Sequence, residues 1–428
     1  MMKKLIQKQL ERYVRRYFEQ HPEVKLIAVT GSVGKTSTKR AIGTVLSGQL
    51  RVRMDMNNHN TEMSAPLGIL GIEYPLNPRS VVAWLAVFKA ARVRVQQPTD
   101  VDVIVQELGT DHPGDIAAFG GYLQPDYAVV TAVTPEHMEF FKTMDAVAKE
   151  ELGVSDFSKF TFINRDDVDS AYASLQKTPN FTTYGVNDTA EYRLEIGQYD
   201  VANGYTCTAY GPTVAQGFAL QVRVLGEHSL RPVMAAISVG LALGMATDSI
   251  AAGAQKIRPV PGRMNLLKGL NNTWVIDDSY NSSPAAAIGA LRTLYSVFSQ
   301  APQRIALLGD MRELGETSEH EHQALGDFCR GDSLAWVVTV GPETERYLAP
   351  AARRQGCQVK SFKNPIQAAE FIRTVSEPGG VILAKGSQNT IYLEEAVKDL
   401  CLITEAAQLV RQSPEWMEKK RRFFESLQ

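Results

Sequence analysis

Lys35 and Thr36 follow a turn that reads Thr30, Gly31, Ser32, Val33, Gly34, and the turn itself follows the apolar run 26–29. Strand, glycine-rich turn and helix in that order build an anion hole from main chain. Gly31 and Gly34 let the N–H groups point inward, and the helix N-terminus adds partial positive charge. Lys35 then reaches the outer phosphates of a nucleoside triphosphate, and the Thr36 hydroxyl is placed to sit on a magnesium ion. Ser32 and Ser37 complete the expected phosphate cradle. The generic P-loop spacing wants a glycine at position 29, where this chain has Val29, so the turn is a shortened variant. Glu107 ends the apolar run 101–106. In a parallel sheet it falls beside the turn, where it partners Thr36 on the metal. His137, in Thr134-Pro-Glu-His137, lies just past another apolar run at 127–131 and is a candidate second metal position or phosphate contact.

The elements that must position these groups are legible as an alternation. Strands are expected at 25–29, 51–54, 101–106, 127–131 and 160–163, with helices at 35–46, 80–95 and 144–152. That βαβα order implies an α/β fold with a mostly parallel sheet and ligands at the carboxyl ends of its strands. Residues 180–225 change to short alternating runs and predict a small antiparallel patch, followed by two Ala-rich helices over 229–257. Pro259-Val-Pro-Gly262 is stiff, hinge-like punctuation. A second α/β series follows, with strands at 274–277, 304–308, 335–340, 358–362 and 380–384. The expected organisation is an N-terminal amphipathic helix over 1–24, a central P-loop domain over 25–263, a C-terminal Rossmann-like domain over 264–403 and a charged helical tail over 404–428. The basic run Lys419-Lys-Arg-Arg422 in that tail reads as a solvated face.

The bulk numbers narrow the class. With 428 residues the chain has room for two or three full cores. A net charge of −2 argues against a dedicated nucleic-acid binder. The four cysteines, Cys207, Cys329, Cys357 and Cys401, lack metal or redox spacing and read as reduced thiols of a cytoplasmic protein. Residues 1–20 are too charged for a signal peptide or a membrane span. Their apolar positions recur at helical spacing, which predicts a stripe packed on the body, with a membrane-surface role as the alternative.

Six ordered segments resemble signatures of the Mur ligases: Thr30–Ser37, Glu107-Leu-Gly, 134–137, Pro261-Gly-Arg263, Asp277-Asp-Ser-Tyr-Asn281 and Lys385-Gly-Ser387. Asp277–Asn281 followed by Pro284, Leu308-Gly-Asp-Met-Arg-Glu-Leu-Gly315 and Lys385-Gly-Ser387 look most like the D-alanyl-D-alanine-adding (MurF-type) branch. The resemblance implies an ATP- and Mg²⁺-dependent amide ligase that works through an acyl phosphate. Its substrates would be a small molecule or peptide with a free carboxylate and an amino-acid or dipeptide amine. Acceptors such as a poly-amino acid or a tetrapyrrole, or a non-catalytic nucleotide-binding subunit, are the other readings. By the same resemblance Lys35 stabilises the transferring phosphate, Thr36 and Glu107 hold one Mg²⁺, and His137 helps hold a second. Arg263 reaches the nucleotide phosphates. Asp278, with Asp277 as the nearer alternative, contacts the ribose. Asn281, Lys385 and Ser387 lie where the amine docks, and closure brings Asp278 and Lys385 towards Lys35. Read without the resemblance, Asp277 and Asp278 are a helix-capping turn. Asn57, Asn58, Asn60, Thr61 and Ser64 resemble the family's substrate loop, or read alone form an Asx-rich turn.

Three departures accompany the resemblance. About 24 residues precede the first strand, too few for the family's UDP-binding domain, which implies another acceptor or a partner in its place. Glu151 stands where many members carry a carbamylated lysine, so its carboxylate is expected to replace the carbamate, with Lys149 the candidate in a shifted register. His228-Ser-Leu-Arg-Pro232 keeps the histidine of the family's His-Asn-x-x-Asn segment and neither asparagine, which leaves the adenine contact open.

Overall fold

The computed structural model describes residues 2–426 except Asn57, Asn58, Glu136, 176–178, Asn187 and Asn389. Two compact units divide the chain. The first takes Met1–Arg223 and Leu230–Arg258, the second Val224–Ser229 and Pro259–Gln428.

The first unit is built on nine strands: β1 (Lys25–Thr30), β2 (Val52–Met54), β3 (Val103–Glu107), β4 (Tyr127–Val130), β5 (Phe160–Asn164), β6 (Phe181–Gly185), β7 (Tyr192–Asp200), β8 (Gly204–Gly211) and β9 (Val214–Val222). Their order is β2-β3-β1-β4-β5-β6-β7-β8-β9. β1 and β3 are apolar because both faces of a parallel strand are covered, and five of the six β1 residues are buried. Register does the positioning. Val29 pairs with Glu107 on one side of β1, and Thr30 pairs with Val130 on the other. The ends of β3 and β4 therefore flank the turn after β1. The strands β7–β9 form an antiparallel meander that extends this sheet rather than standing apart as a patch, because β6 pairs in parallel with β7.

The N-terminal helix Met2–Gln20 buries Ile6, Leu10, Val14 and Tyr17. It packs beside the helix Val81–Gln96, with Tyr13 against Phe88 at 6.3 Å between ring centroids. No described helix is long and apolar enough to cross a membrane.

The second unit has six strands: β10 (Asn265–Lys268), β11 (Trp274–Asp278), β12 (Arg304–Gly309), β13 (Trp336–Val340), β14 (Val359–Phe362) and β15 (Val381–Lys385), in the order β10-β11-β15-β12-β13-β14. All pair in parallel except β10, an antiparallel edge absent from the sequence reading. Asp278 pairs with Lys385, which brings those two strand ends together.

The tail corrects an expectation. Its helix, Pro414–Glu425, buries Lys420, so the basic run is not a uniformly solvated face. Lys420 Nζ lies 2.9 Å from Glu394 and 2.6 Å from Glu395, both on the buried side of the helix Leu393–Leu400. Phe423 and Phe424 pack edge-on to buried Tyr392. All four cysteines are free and buried.

Candidate functional site

The turn after β1 has the backbone its glycines demand. Gly31 sits at φ 128° and Gly34 at φ 87°, both in the left-handed region. At Gly31 a Cβ would lie 2.2 Å from Thr131 Oγ1 and 2.7 Å from the Ala132 nitrogen, so the chain crosses the β4 terminus in van der Waals contact. Replacing Gly31 with alanine combines that clash with a disfavoured φ. The expected cost is about 2 kcal/mol in denaturant unfolding. Ser32 accepts a hydrogen bond from the Thr134 N–H at 3.1 Å and pins the turn to the chain after β4. The helix Lys35–Leu46 starts at this turn, and Lys35 Nζ folds back to donate to the carbonyls of Gly31 (2.5 Å) and Ser32 (3.3 Å). Ser37 occupies the same first helical turn.

Glu107 is the node of the first unit's site. It is buried at the end of β3 and accepts from Thr36 Oγ1 at 3.0 Å and from Asn60 Nδ2 at 3.1 Å. Lys39 Nζ lies 3.6 Å away and is itself buried. Burial pushes the Lys39 ammonium below the usual lysine value, and the Glu107 carboxylate opposes that shift. Thr61 and Ser64 share a hydroxyl–hydroxyl hydrogen bond of 2.9 Å in the next turn of the same loop. Asn57 and Asn58 lie outside the described residues.

His137 and Glu151 occupy different surroundings. His137 adopts φ 47°, and its Nε2 lies 3.5 Å from Asp111 Oδ1. Glu151 is buried and accepts from Thr30 Oγ1, at the last residue of β1. Lys149 is exposed on the other side of its helix, so of the two registers only Glu151 points into the unit. Its neighbour Glu150 accepts the N–H groups of Gly114 and Ile116, each at 2.8 Å, and so caps the helix Asp115–Gly120. Among the described residues no three His, Cys, Asp or Glu side chains gather around one point.

In the second unit, Asp278 Oδ2 pairs with Lys385 Nζ at 2.8 Å, and Lys385 also donates to the Asn281 carbonyl at 2.7 Å. Ser387 Oγ accepts from the Arg312 N–H at 2.9 Å and donates to the Ser282 carbonyl at 3.2 Å. Arg263 stacks on Tyr280 with its guanidinium carbon 4.4 Å from the ring centroid. Asp277 is fully buried and accepts from the Gly262 N–H (3.1 Å), the Ser279 N–H (3.2 Å) and Ser279 Oγ (2.5 Å). Burial raises its pKa from 3.8 to about 6, and the Ser279 hydrogen bonds hold it from rising further. A carboxyl raised in the folded state binds its proton more tightly there than in the unfolded chain. The stability that this one carboxyl contributes is therefore fully present below about pH 4 and is lost as pH rises through about 6. Asp277→Asn should remove about 2 kcal/mol of that pH dependence, read from urea unfolding at pH 4 and pH 7.

Two family models match the chain, the Mur ligase middle domain over residues 29–240 and the Mur ligase glutamate ligase domain over residues 262–388. The chain belongs to the Mur ligase family. This Mur ligase is 26% identical over 384 residues to the UDP-N-acetylmuramoyl-tripeptide–D-alanyl-D-alanine ligase of Bacillus subtilis, covering 88% of this chain and 76% of that protein. Its fold matches MurF from Acinetobacter baumannii with a TM-score of 0.74 at 23% identity, over 91% of this chain and 79% of that one. It also matches MurF from Thermotoga maritima in complex with ADP, with a TM-score of 0.71 at 22% identity over 92% and 83% of the two chains. As a Mur ligase it is an ATP-dependent carboxylate–amine ligase.

Several residues of this Mur ligase escaped the sequence reading. Lys39 lies three positions after Thr36, on the same helix face, and that spacing was the available signal. Asp111 follows Glu107 in one loop and faces His137. Buried His322 accepts the Met311 N–H on Nε2 at 3.0 Å and meets the Ser318 carbonyl through Nδ1 at 2.7 Å, which assigns the proton to Nδ1 and ties down the segment after β12. Arg411 donates to the carbonyls of Ser279 (2.8 Å) and Tyr280 (3.0 Å) while it pairs with Glu394 at 2.8 Å. Nothing in its sequence neighbourhood marks that role. His228 sits beside Gly226 and Gly289 in the second unit.

Proposed function

We propose that the protein joins D-alanyl-D-alanine to the terminal carboxylate of a peptidoglycan peptide precursor in the cytoplasm, with ATP converted to ADP and phosphate. The observation that carries this reading is the buried Thr36–Glu107 pair beside the phosphate turn, in a chain whose relatives bear that ligase's name. A free carboxylate is a poor electrophile. Its oxygen takes the γ-phosphoryl group of ATP and ADP leaves. The amine nitrogen then adds to the acyl carbon and gives up a proton, and phosphate departs with the former carboxylate oxygen. Little covalent work falls to the protein, which positions the reactants and stabilises charge.

The main-chain N–H groups of residues 31–35 hold the phosphates, and Lys35 turns from the carbonyls of its own turn onto the transferring group. Thr36 and Glu107 form an all-oxygen donor pair of the kind magnesium prefers, and the ion when bound neutralises charge on the phosphoryl oxygens. His137 and Glu151 serve a second ion in this proposal, with the Glu151 carboxylate in place of a carbamylated lysine. Glu151→Gln keeps a hydrogen-bond acceptor for Thr30 and removes the charge. Turnover is expected to fall on the order of 10²-fold, with the magnesium requirement shifted to higher concentration in a titration. Arg263 is assigned to the nucleotide phosphates, Asp277 and Asp278 to the ribose, and Asn60, Thr61, Asn281, Lys385 and Ser387 to the substrates.

The test is ADP release together with mass spectrometry of the product, using a muramyl tripeptide and D-alanyl-D-alanine. Release that needs both, with the matching amide formed, supports the reading. Release stimulated only by other amines overturns the assignment of D-alanyl-D-alanine.

A further inference from the structure

The outer face of the helix Val81–Gln96 is built the wrong way round for a solvated helix. Its inner face buries Trp84, Val87, Ala91 and Val95. On the opposite side Val82 and Leu85 remain 76% and 60% exposed, followed at helical spacing by exposed Lys89 and Arg92. Just before the helix, Leu76 stands fully exposed. A surface helix of a globular protein ordinarily turns polar residues outward, and clustered exposed apolar side chains mark an interaction surface.

The platform under this face is built, not loose. Ser80 caps the helix by accepting the Ala83 N–H at 3.3 Å, and Trp84 Nε1 donates to the Pro78 carbonyl at 2.9 Å. Tyr74 packs edge-on to Trp84 at 5.8 Å. The neighbouring helix Met2–Gln20 runs in the same direction: Tyr13 meets Phe88, and the Tyr17 hydroxyl reaches Thr99 beyond the second helix's end at 3.1 Å. Exposed Leu5 therefore lies towards the same end as Leu76 and Val82.

Charge decides the occupant. Residues 2–20 and 71–96 carry ten Lys and Arg against three Glu in a protein whose total charge is −2; with Lys3 paired to Glu62 and Arg94 to Asp100, eight cations against three Glu remain. A second copy of the same face would meet like charge, and a nucleic acid offers no apolar phase for Leu76, Val82 and Leu85. We propose that this face docks the enzyme on an anionic lipid bilayer, with the apolar tips entering the headgroup boundary and the basic residues of both helices meeting lipid phosphates. The embedded stripe is short and lies along the surface. It anchors without spanning.

The experiment is co-sedimentation of the full chain with vesicles of phosphatidylcholine alone or mixed equally with phosphatidylglycerol. The expected result is binding to the mixed vesicles, weakened by added salt, and little binding to phosphatidylcholine. A combined Leu76→Ser, Val82→Ser, Leu85→Ser variant, changed only at exposed positions, should lose affinity on the order of tenfold with an unaltered melting temperature. Lys89→Glu with Arg92→Glu should do the same. Absence of binding, equal binding to both vesicles, or unchanged binding in both variants overturns the proposal. So does a wild-type dimer in solution that the triple serine variant converts to monomer, since the face would then belong to a second copy.

Discussion

Replacing Lys35 with alanine lowers ligation on the order of 10³-fold or more and leaves the far-ultraviolet circular dichroism and melting temperature unchanged. The size of the effect follows from what the ammonium does. In the turn it satisfies the carbonyls of Gly31 and Ser32, so its removal exposes two main-chain acceptors to water and disturbs no core. In the proposed phosphoryl transfer it is the one cation of the turn, and charge that spreads over the phosphoryl oxygens meets no other positively charged side chain within residues 30–37. The variant should still bind ATP weakly through its main-chain N–H groups, which separates loss of binding from loss of transfer. Thermal denaturation with and without ATP, beside product formation, reads both quantities.

Lys420→Met should destabilise the second unit by about 3–5 kcal/mol in guanidinium unfolding, whereas Arg422→Met two residues away changes it by about 0.5 kcal/mol or less. Lys420 is 1% exposed and within 3 Å of both Glu394 and Glu395. Removing it strands carboxylate charge in a protein interior. Arg422 pairs with Glu418 on an exposed surface, where water screens the gain. The same cluster reaches the proposed nucleotide segment, because Glu394 also holds Arg411 and Arg411 holds the carbonyls of Ser279 and Tyr280. The tail is thus part of the second unit's core, and the loop after β11 is braced by it.

The parts of this fold that repeat a local physical pattern were legible in the sequence. β1 and the turn after it announce themselves through an apolar run followed by Gly31, Gly34, Lys35 and Thr36, because a buried parallel strand and an anion-binding turn each restrict residue type strongly. Glu107 was readable for the same reason, as a charge ending a buried strand. What depends on a partner far away in sequence was not. Lys420 sits in a run of four basic residues and looks solvated until Glu394 and Glu395 are brought beside it. Lys39 looks like an ordinary helix-surface lysine until register places Glu107 3.6 Å away. β10 is a four-residue antiparallel edge after Pro261-Gly262, too short to show a period. The alternation of β7–β9 revealed their mutual pairing and not that β7 joins β6, since alternation carries no information about which edge a strand extends.

The most direct test of the central claim uses an acceptor peptide with ¹⁸O in its terminal carboxylate, together with ATP, magnesium and D-alanyl-D-alanine. If the carboxylate is activated as an acyl phosphate, each amide formed releases ADP and one phosphate carrying a single ¹⁸O. Unlabelled phosphate, or AMP and pyrophosphate in place of ADP, would contradict it.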